Sequence, residues 1–222
     1  MNITALGDVF KAMLKKNYKV YSRPYELNIV GIRSAVNKPN KFDDVFFIFY
    51  KNDKNQIIYK IFPCTTDPGT FWLNHPMNPL GTAAVKAGQY IDAYSIGLHN
   101  RTYPALVQTG KLKVYRDLDR NSLFDFESAK EYTSSGDGIN IHKAGAGAME
   151  NVDKWSAGCQ VFKSTKDFDE FMLAAKKHRD LYGNKFTYTL LDEREDFKKK
   201  NRGIAAVGIG ALLLVAGYKF LK

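Results

Sequence analysis

Two cysteines and four histidines are the residues of this chain that could carry out nucleophilic chemistry. Cys159 ends the segment Ser156-Ala-Gly-Cys, and His142 lies seventeen positions before it, across a loop rich in glycine and alanine. A cysteine attacks a carbonyl as its thiolate, so it needs a nearby base and backbone N–H groups aimed at the developing oxyanion. The spacing predicts Cys159 as a nucleophile with a depressed pKa and His142 as its base. Ala157 and Gly158 are small enough for a substrate carbonyl to approach the backbone.

The stretch from Ile139 to Phe162 resembles the catalytic motif of the L,D-transpeptidase (YkuD-like) family: a histidine, a loop, and then Ser-x-Gly-Cys. The resemblance implies a β-rich fold and an enzyme that acts on the stem peptides of peptidoglycan. It implies that Cys159 forms a thioester while His142 moves the proton. It also implies that Ser156 orders the loop and that the backbone at Gly158 and Cys159 forms the oxyanion site.

Three positions depart from the family pattern. Lys143 replaces the glycine after the histidine, Ala157 replaces the histidine between serine and glycine, and Val161 replaces the arginine that follows the cysteine. Arg116, in the segment VYRD, is a candidate for the missing positive charge. The predicted substrate-binding residues are Arg116, Lys143, Trp155 and Ala157.

Two functions therefore stay open at the level of sequence. The first is a cysteine enzyme, either hydrolase or transpeptidase, that needs no cofactor. The second is an inactive domain of the same kind that serves as a membrane-tethered structural or cell-wall-binding protein. No Cys/His spacing indicates a metal site. Cys64 is expected to be an ordinary core residue, because cysteine is among the most buried residue types, although a disulfide between Cys64 and Cys159 would abolish the nucleophile.

The charge of the chain narrows the choice of partners. A net charge of +10 predicts attraction to a membrane surface, a cell-wall polymer or nucleic acid. The basic residues are dispersed and form no nucleic-acid-binding motif, so we expect no nucleic-acid partner. The blocks Thr65–Gly69 and Asn140–Phe162 also resemble uncharacterised phage and bacterial proteins. That likeness suggests a virion-associated lytic protein, with other virion membrane proteins as partners.

Runs of aliphatic and aromatic residues predict the elements that position the site. Aromatic residues make up 14% of the chain, which favours a β-rich α+β fold, a sandwich or barrel with few helices. One amphipathic helix is predicted near the N-terminus, with Leu6, Val9, Phe10, Met13 and Leu14 on its apolar side. A second helix is predicted between a cap at Ser164 and a stop at Gly183. The predicted strands are 27–33, 44–50, 56–62, 88–96, 105–108, 113–116, 139–142, 158–162 and 185–191.

The composition divides the chain into three parts: a catalytic domain over 1–191, a charged linker over 192–202 and a single transmembrane helix over 203–221. The uncharged run within that helix spans roughly 24 Å, a little less than a bilayer core. The alternative is a buried core helix. Basic residues before the run predict a cytoplasmic domain. Such a domain reaches peptidoglycan only from the internal membrane of a virus particle or after the cell membrane is breached.

Overall fold

The computed structural model describes residues 5–36 and 38–197. The strands in this part of the chain are β1 Asn28–Arg33, β2 Asp44–Lys51, β3 Ile57–Thr65, β4 Thr82–Val85, β5 Gly88–His99, β6 Tyr103–Gln108, β7 Leu112–Asp117, β8 Lys130–Ser134, β9 Ile141–Lys143, β10 Gln160–Phe162 and β11 Phe186–Asp192. The α-helices are α1 Leu6–Lys15, α2 Thr70–Asn74, α3 Thr165–Tyr182 and α4 Glu193–Asp196, and a 3₁₀ turn covers Asp153–Trp155. The predicted β-rich α+β class is confirmed.

Eight strands close into a barrel in the order β1-β11-β5-β6-β9-β10-β3-β2. Two neighbouring pairs are parallel, β1 with β11 and β9 with β10, and the other pairs are antiparallel. The hairpin predicted between β2 and β3 is confirmed. Its turn needs a left-handed backbone at Asn55, which has φ of 58°, and asparagine tolerates that conformation better than most residues.

The barrel core is rich in aromatic side chains, and α3 packs over it. Ser164 caps the helix by accepting a hydrogen bond from the Asp167 backbone, and Gly183 follows its last residue, so both predicted ends are confirmed. Phe168 and Phe171 of α3 pack against Phe162 of β10. Because β10 follows the predicted nucleophile directly, this cluster fixes the strand that carries it.

A second layer covers the outside of the barrel. The predicted N-terminal helix is α1, and it buries Val9, Phe10 and Met13 against a cluster that includes Phe49. Leu14 was expected on the same side, but the structure leaves 53% of its surface exposed. The buried side of the helix includes Ala12 instead.

A separate three-stranded sheet, in the order β4-β7-β8, lies beside the barrel. Of these three strands, only β7 is predicted from the sequence. The sequence of β4 is TAAV and that of β8 is KEYTS, so neither contains the aliphatic or aromatic run that marks a strand. The sheet forms because both strands pair with β7.

The folded domain extends past the predicted boundary at residue 191. Asp192 is a buried residue of β11, and Glu193–Asp196 form α4, which is tied to the N-terminal helix region by an ion pair between Asp196 and Lys16. The predicted transmembrane helix over 203–221 lies outside the described residues. Within residues 5–36 and 38–197, no helix is both long and apolar enough to cross a membrane.

Candidate active site

The parallel pairing of β9 and β10 brings the two predicted catalytic segments together. Val161 lies opposite His142, and the Gln160 N–H donates to the Asn140 carbonyl. Cys159 precedes β10 and therefore lies next to Asn140. Both strands begin two residues later than predicted, so Cys159 stands in a loop rather than inside a strand.

The nucleophile loop, residues 156–159, is locked by hydrogen bonds of its own. The Ser156 hydroxyl donates to the Cys159 carbonyl at 2.8 Å and accepts from the Gly158 N–H at 3.2 Å. Gly158 has φ of +123°, and a Cβ at this position would lie 2.7 Å from the Ala83 carbonyl oxygen. Only glycine fits this conformation and this close approach. Among the described residues the Cys159 N–H has no hydrogen-bond partner, so it is free to donate to a ligand.

The Cys159 thiol is half-buried, and its hydrogen bonds go to backbone. The sulfur accepts from the Asn140 N–H at 3.4 Å and lies 3.5 Å from the Gly138 carbonyl oxygen. Burial raises the pKa of this thiol to about 11, and the Asn140 hydrogen bond only partly opposes that effect. This differs from the expected depressed pKa, because an apolar surrounding disfavours the thiolate. At neutral pH the Cys159 side chain is therefore a neutral thiol.

The His142 imidazole is buried and neutral. Its Nδ1 lies 2.7 Å from the Lys143 carbonyl oxygen, so Nδ1 carries the proton and Nε2 is the unprotonated nitrogen. Burial, and then the nearby His99 ring, lower the pKa of His142 to about 3, while the Lys143 and Trp155 backbone groups act in the opposite direction. In the described part of the chain, no hydrogen bond joins His142 to Cys159.

Three further residues surround the pair, and sequence analysis gave none of them a catalytic role. His99, at the end of β5, stacks on His142 with ring centroids 3.9 Å apart. Asn140 donates through its side chain to His99 Nδ1 at 3.1 Å. The Tyr103 hydroxyl lies 3.4 Å from His142 Nδ1. His99 and Tyr103 reach the site because β6 pairs with both β5 and β9, and no local pattern reveals that pairing.

A cleft of about 220 Å³ opens beside the nucleophile loop. Arg116 and Ala157, two of the four predicted substrate-binding residues, lie in its wall. The Arg116 guanidinium donates to the Gly81 carbonyl and forms an ion pair with Asp137 at 2.6 Å. Asp137 adjoins Gly138, whose carbonyl contacts the Cys159 sulfur. The remaining lining residues are Met77, Asn78, Gly81, Thr82, Ala83 and Ile139.

The other two predicted substrate-binding residues lie outside this cleft. The Lys143 ammonium lies 5.2 Å from the centre of the Tyr103 ring, on the His142 side of the site. Trp155 is 41% exposed, and its ring covers Gly145. Within the described residues, no group of three or more histidine, cysteine or acidic side chains is placed to hold a metal ion.

Comparison with known proteins adds no relative. The chain matches no family model, no curated protein and no solved structure. The functional interpretation therefore depends on the motif and on the geometry of this site.

The two cysteines should react very differently with iodoacetamide, which alkylates thiolates. We expect Cys159 alone to be labelled, because Cys64 is fully buried and burial raises its pKa as well. With a pKa of about 11 at Cys159, the rate should rise about tenfold per pH unit through pH 10. Peptide mass mapping across a pH series measures both rates. A plateau near pH 8.5, or equal labelling of Cys64, would contradict the structure.

Proposed function

We propose that this protein is a cysteine enzyme that cleaves or transfers peptide bonds of bacterial cell-wall stem peptides. The observation that carries the proposal is the position of Cys159, a half-buried thiol with a free backbone N–H, on a hydrogen-bonded loop whose Ala157 lines a cleft. The likeness to the L,D-transpeptidase motif supplies the substrate class. The cleft is smaller than the roughly 300–1,000 Å³ of sites for drug-sized ligands, which suits one or two residues of a longer peptide.

In the proposed mechanism the Cys159 sulfur attacks a peptide carbonyl as its proton passes to His142 Nε2. A change of the Cys159 rotamer or a bridging water closes the distance between the two side chains, since catalytic hydrogen bonds often form only with substrate bound. The C–N bond then breaks, the amine leaves with the proton from His142, and a thioester remains. Water completes a hydrolysis, whereas a second amine completes a transpeptidation.

A second candidate function is favoured by one observation. The thiol and the imidazole are both neutral, and their hydrogen bonds go to backbone groups rather than to each other. This arrangement also fits an inactive domain that binds cell wall or serves a structural role. The two candidates make different predictions for the same substrate.

Purified peptidoglycan incubated with the full-length chain distinguishes them. We expect the wild type and a Cys64→Ala variant to change the muropeptide masses, and Cys159→Ala to leave them unchanged. Mass spectrometry identifies the reaction: a gain of one water indicates hydrolysis, and new dimers or exchanged termini indicate transpeptidation. Unchanged masses with the wild type, together with sedimentation on peptidoglycan that survives Cys159→Ala, would favour the binding role.

A further inference from the structure

A chain of buried hydrogen bonds connects the barrel interior to the nucleophile loop. Tyr188 of β11 donates its hydroxyl to Gln160 Oε1 at 2.8 Å, and Gln160 Nε2 donates to the Gly158 carbonyl oxygen at 3.2 Å. Both side chains are completely buried. The Gln160 amide has one workable orientation, because the reverse would set its oxygen against the Gly158 oxygen.

These bonds determine where the free N–H of the loop points. In a trans peptide the C=O and the following N–H point in opposite directions, and no cis peptide occurs among the described residues. The Gly158 carbonyl points at Gln160, towards the barrel interior. The Cys159 N–H, in the same peptide unit, therefore points away from the interior. The Gly158 N–H already donates to the Ser156 hydroxyl, whereas the N–H of the nucleophile itself, Cys159, is free.

Gly31 provides the space that the Tyr188 hydroxyl needs inside the barrel. A Cβ on Gly31 of β1 would lie 2.1 Å from the Tyr188 hydroxyl oxygen, which is far closer than two atoms can approach. The Tyr188 ring is held between Phe46 and Tyr94, so it cannot swing aside. Gly31 is the residue that allows the hydroxyl to reach Gln160.

We propose that Gln160, held by Tyr188, is a positioning residue that aims the Cys159 N–H at the oxyanion formed during acyl transfer. This inference rests on the proposed cysteine chemistry and adds residues to it that touch neither substrate nor thiol. As the thiol proton passes to His142 and the sulfur bonds to the carbonyl carbon, negative charge accumulates on the carbonyl oxygen. A preorganised donor at that oxygen stabilises the transition state.

The test compares two reactions of Cys159 in the full-length chain. Acylation by p-nitrophenyl acetate forms an oxyanion, whereas alkylation by iodoacetamide does not. We expect Gln160→Leu and Tyr188→Phe to lower the ratio of the acylation rate to the alkylation rate by about tenfold or more, as loss of an oxyanion donor typically costs about 10²–10³. Tyr90→Phe is the matched control, because it removes a buried tyrosine hydroxyl bonded to Lys86 and Lys113, away from the loop.

The outcomes separate this inference from the proposed function. Acylation at Cys159 with an unchanged ratio in both Gln160→Leu and Tyr188→Phe would overturn the positioning role and leave the cysteine chemistry standing. An equal fall in Tyr90→Phe would also overturn it, because the effect would then follow from general loosening. Acylation of the wild type no faster than that of Cys159→Ala would remove the proposed function itself. A fall in the first two variants alone supports the inference.

Discussion

In a His142→Asn variant, Cys159 is expected to be acylated about 10²-fold more slowly than in the wild-type chain, the low end of the usual range for a general base, because an imidazole with a pKa of about 3 is weakly basic. The asparagine amide can still donate to the Lys143 carbonyl, as Nδ1 of His142 does now. It has no basic nitrogen to take the thiol proton. Because the thiol has a pKa of about 11, it needs that base at neutral pH. Release of p-nitrophenolate from p-nitrophenyl acetate measures the rate.

Two comparisons make this result specific to base catalysis. Alkylation by iodoacetamide proceeds through the free thiolate and should change little in the variant. His99→Asn removes the imidazole stacked on His142 but keeps the base, so a much smaller loss is expected. The pH dependence adds a third comparison. Since the pKa of His142 lies at about 3, acylation should show no inflection near pH 6.5, where an ordinary histidine titrates.

Much of the barrel could be predicted from sequence, because most of its strands contain long aliphatic or aromatic runs. The strands β1, β2 and β3 fall within a few residues of their predicted ends, and both ends of α3 have local cap residues. The closure of the barrel could not be predicted. It depends on the parallel pairing of β1 with β11, two strands from opposite ends of the domain, and loop-closing contacts of this kind leave no local pattern.

The candidate site could likewise be predicted from the sequence only in part. The spacing predicts His142 as the base of Cys159, but it does not predict the parallel pairing of β9 with β10 that brings the two segments together. The protonation states could not be predicted, since burial by the whole barrel shifts both pKa values in the direction opposite to an ion pair. Gln160 and Tyr188 were also missed, because a glutamine in a strand gives no signal until its partner across the barrel is known.

The block Thr65–Gly69 begins at the last residue of β3 and joins a buried ionic network to the nucleophile loop. Arg33 of β1 is 1% exposed and lies 2.8 Å from Asp67, while its N–H groups donate to the side chain and carbonyl of Thr66. At the far end of the block, the Gly69 N–H donates to the Ser156 carbonyl at 2.8 Å. Loss of the network should therefore loosen the nucleophile loop as well as the barrel.

Replacing Arg33 with methionine is expected to lower the free energy of unfolding by about 3–5 kcal/mol, the usual cost of breaking a buried ion pair from one side. The substitution would leave the carboxylates of Asp67 and Asp44 buried without their cation. Chemical denaturation at pH 8 measures the change. Arg194→Met is the matched control: this arginine stacks on Phe126 at the same 4.7 Å as Arg33 does, but its side chain is 37% exposed. Its loss should cost less than the loss of Arg33, because the Arg194 guanidinium is partly exposed to water.

The pH dependence of the Arg33→Met effect tests its cause. Burial raises the pKa of Asp44, the charge of Asp67 raises it further, and the charge of Arg33 lowers it. Burial also raises the pKa of Asp67, and the charge of Arg33 opposes that shift. Without Arg33 both pKa values rise further. A carboxyl group whose pKa is higher in the folded protein than the value of about 4 in the unfolded chain stabilises the fold below pH 4. This stabilisation is lost as the pH rises through the folded-state pKa. The cost of the substitution should therefore be small near pH 4 and largest near pH 8. Adding Asp67→Asn to Arg33→Met should recover part of the lost free energy of unfolding at pH 8. If Arg33→Met instead lowers the free energy of unfolding equally at pH 4 and pH 8, then packing rather than charge makes Arg33 important.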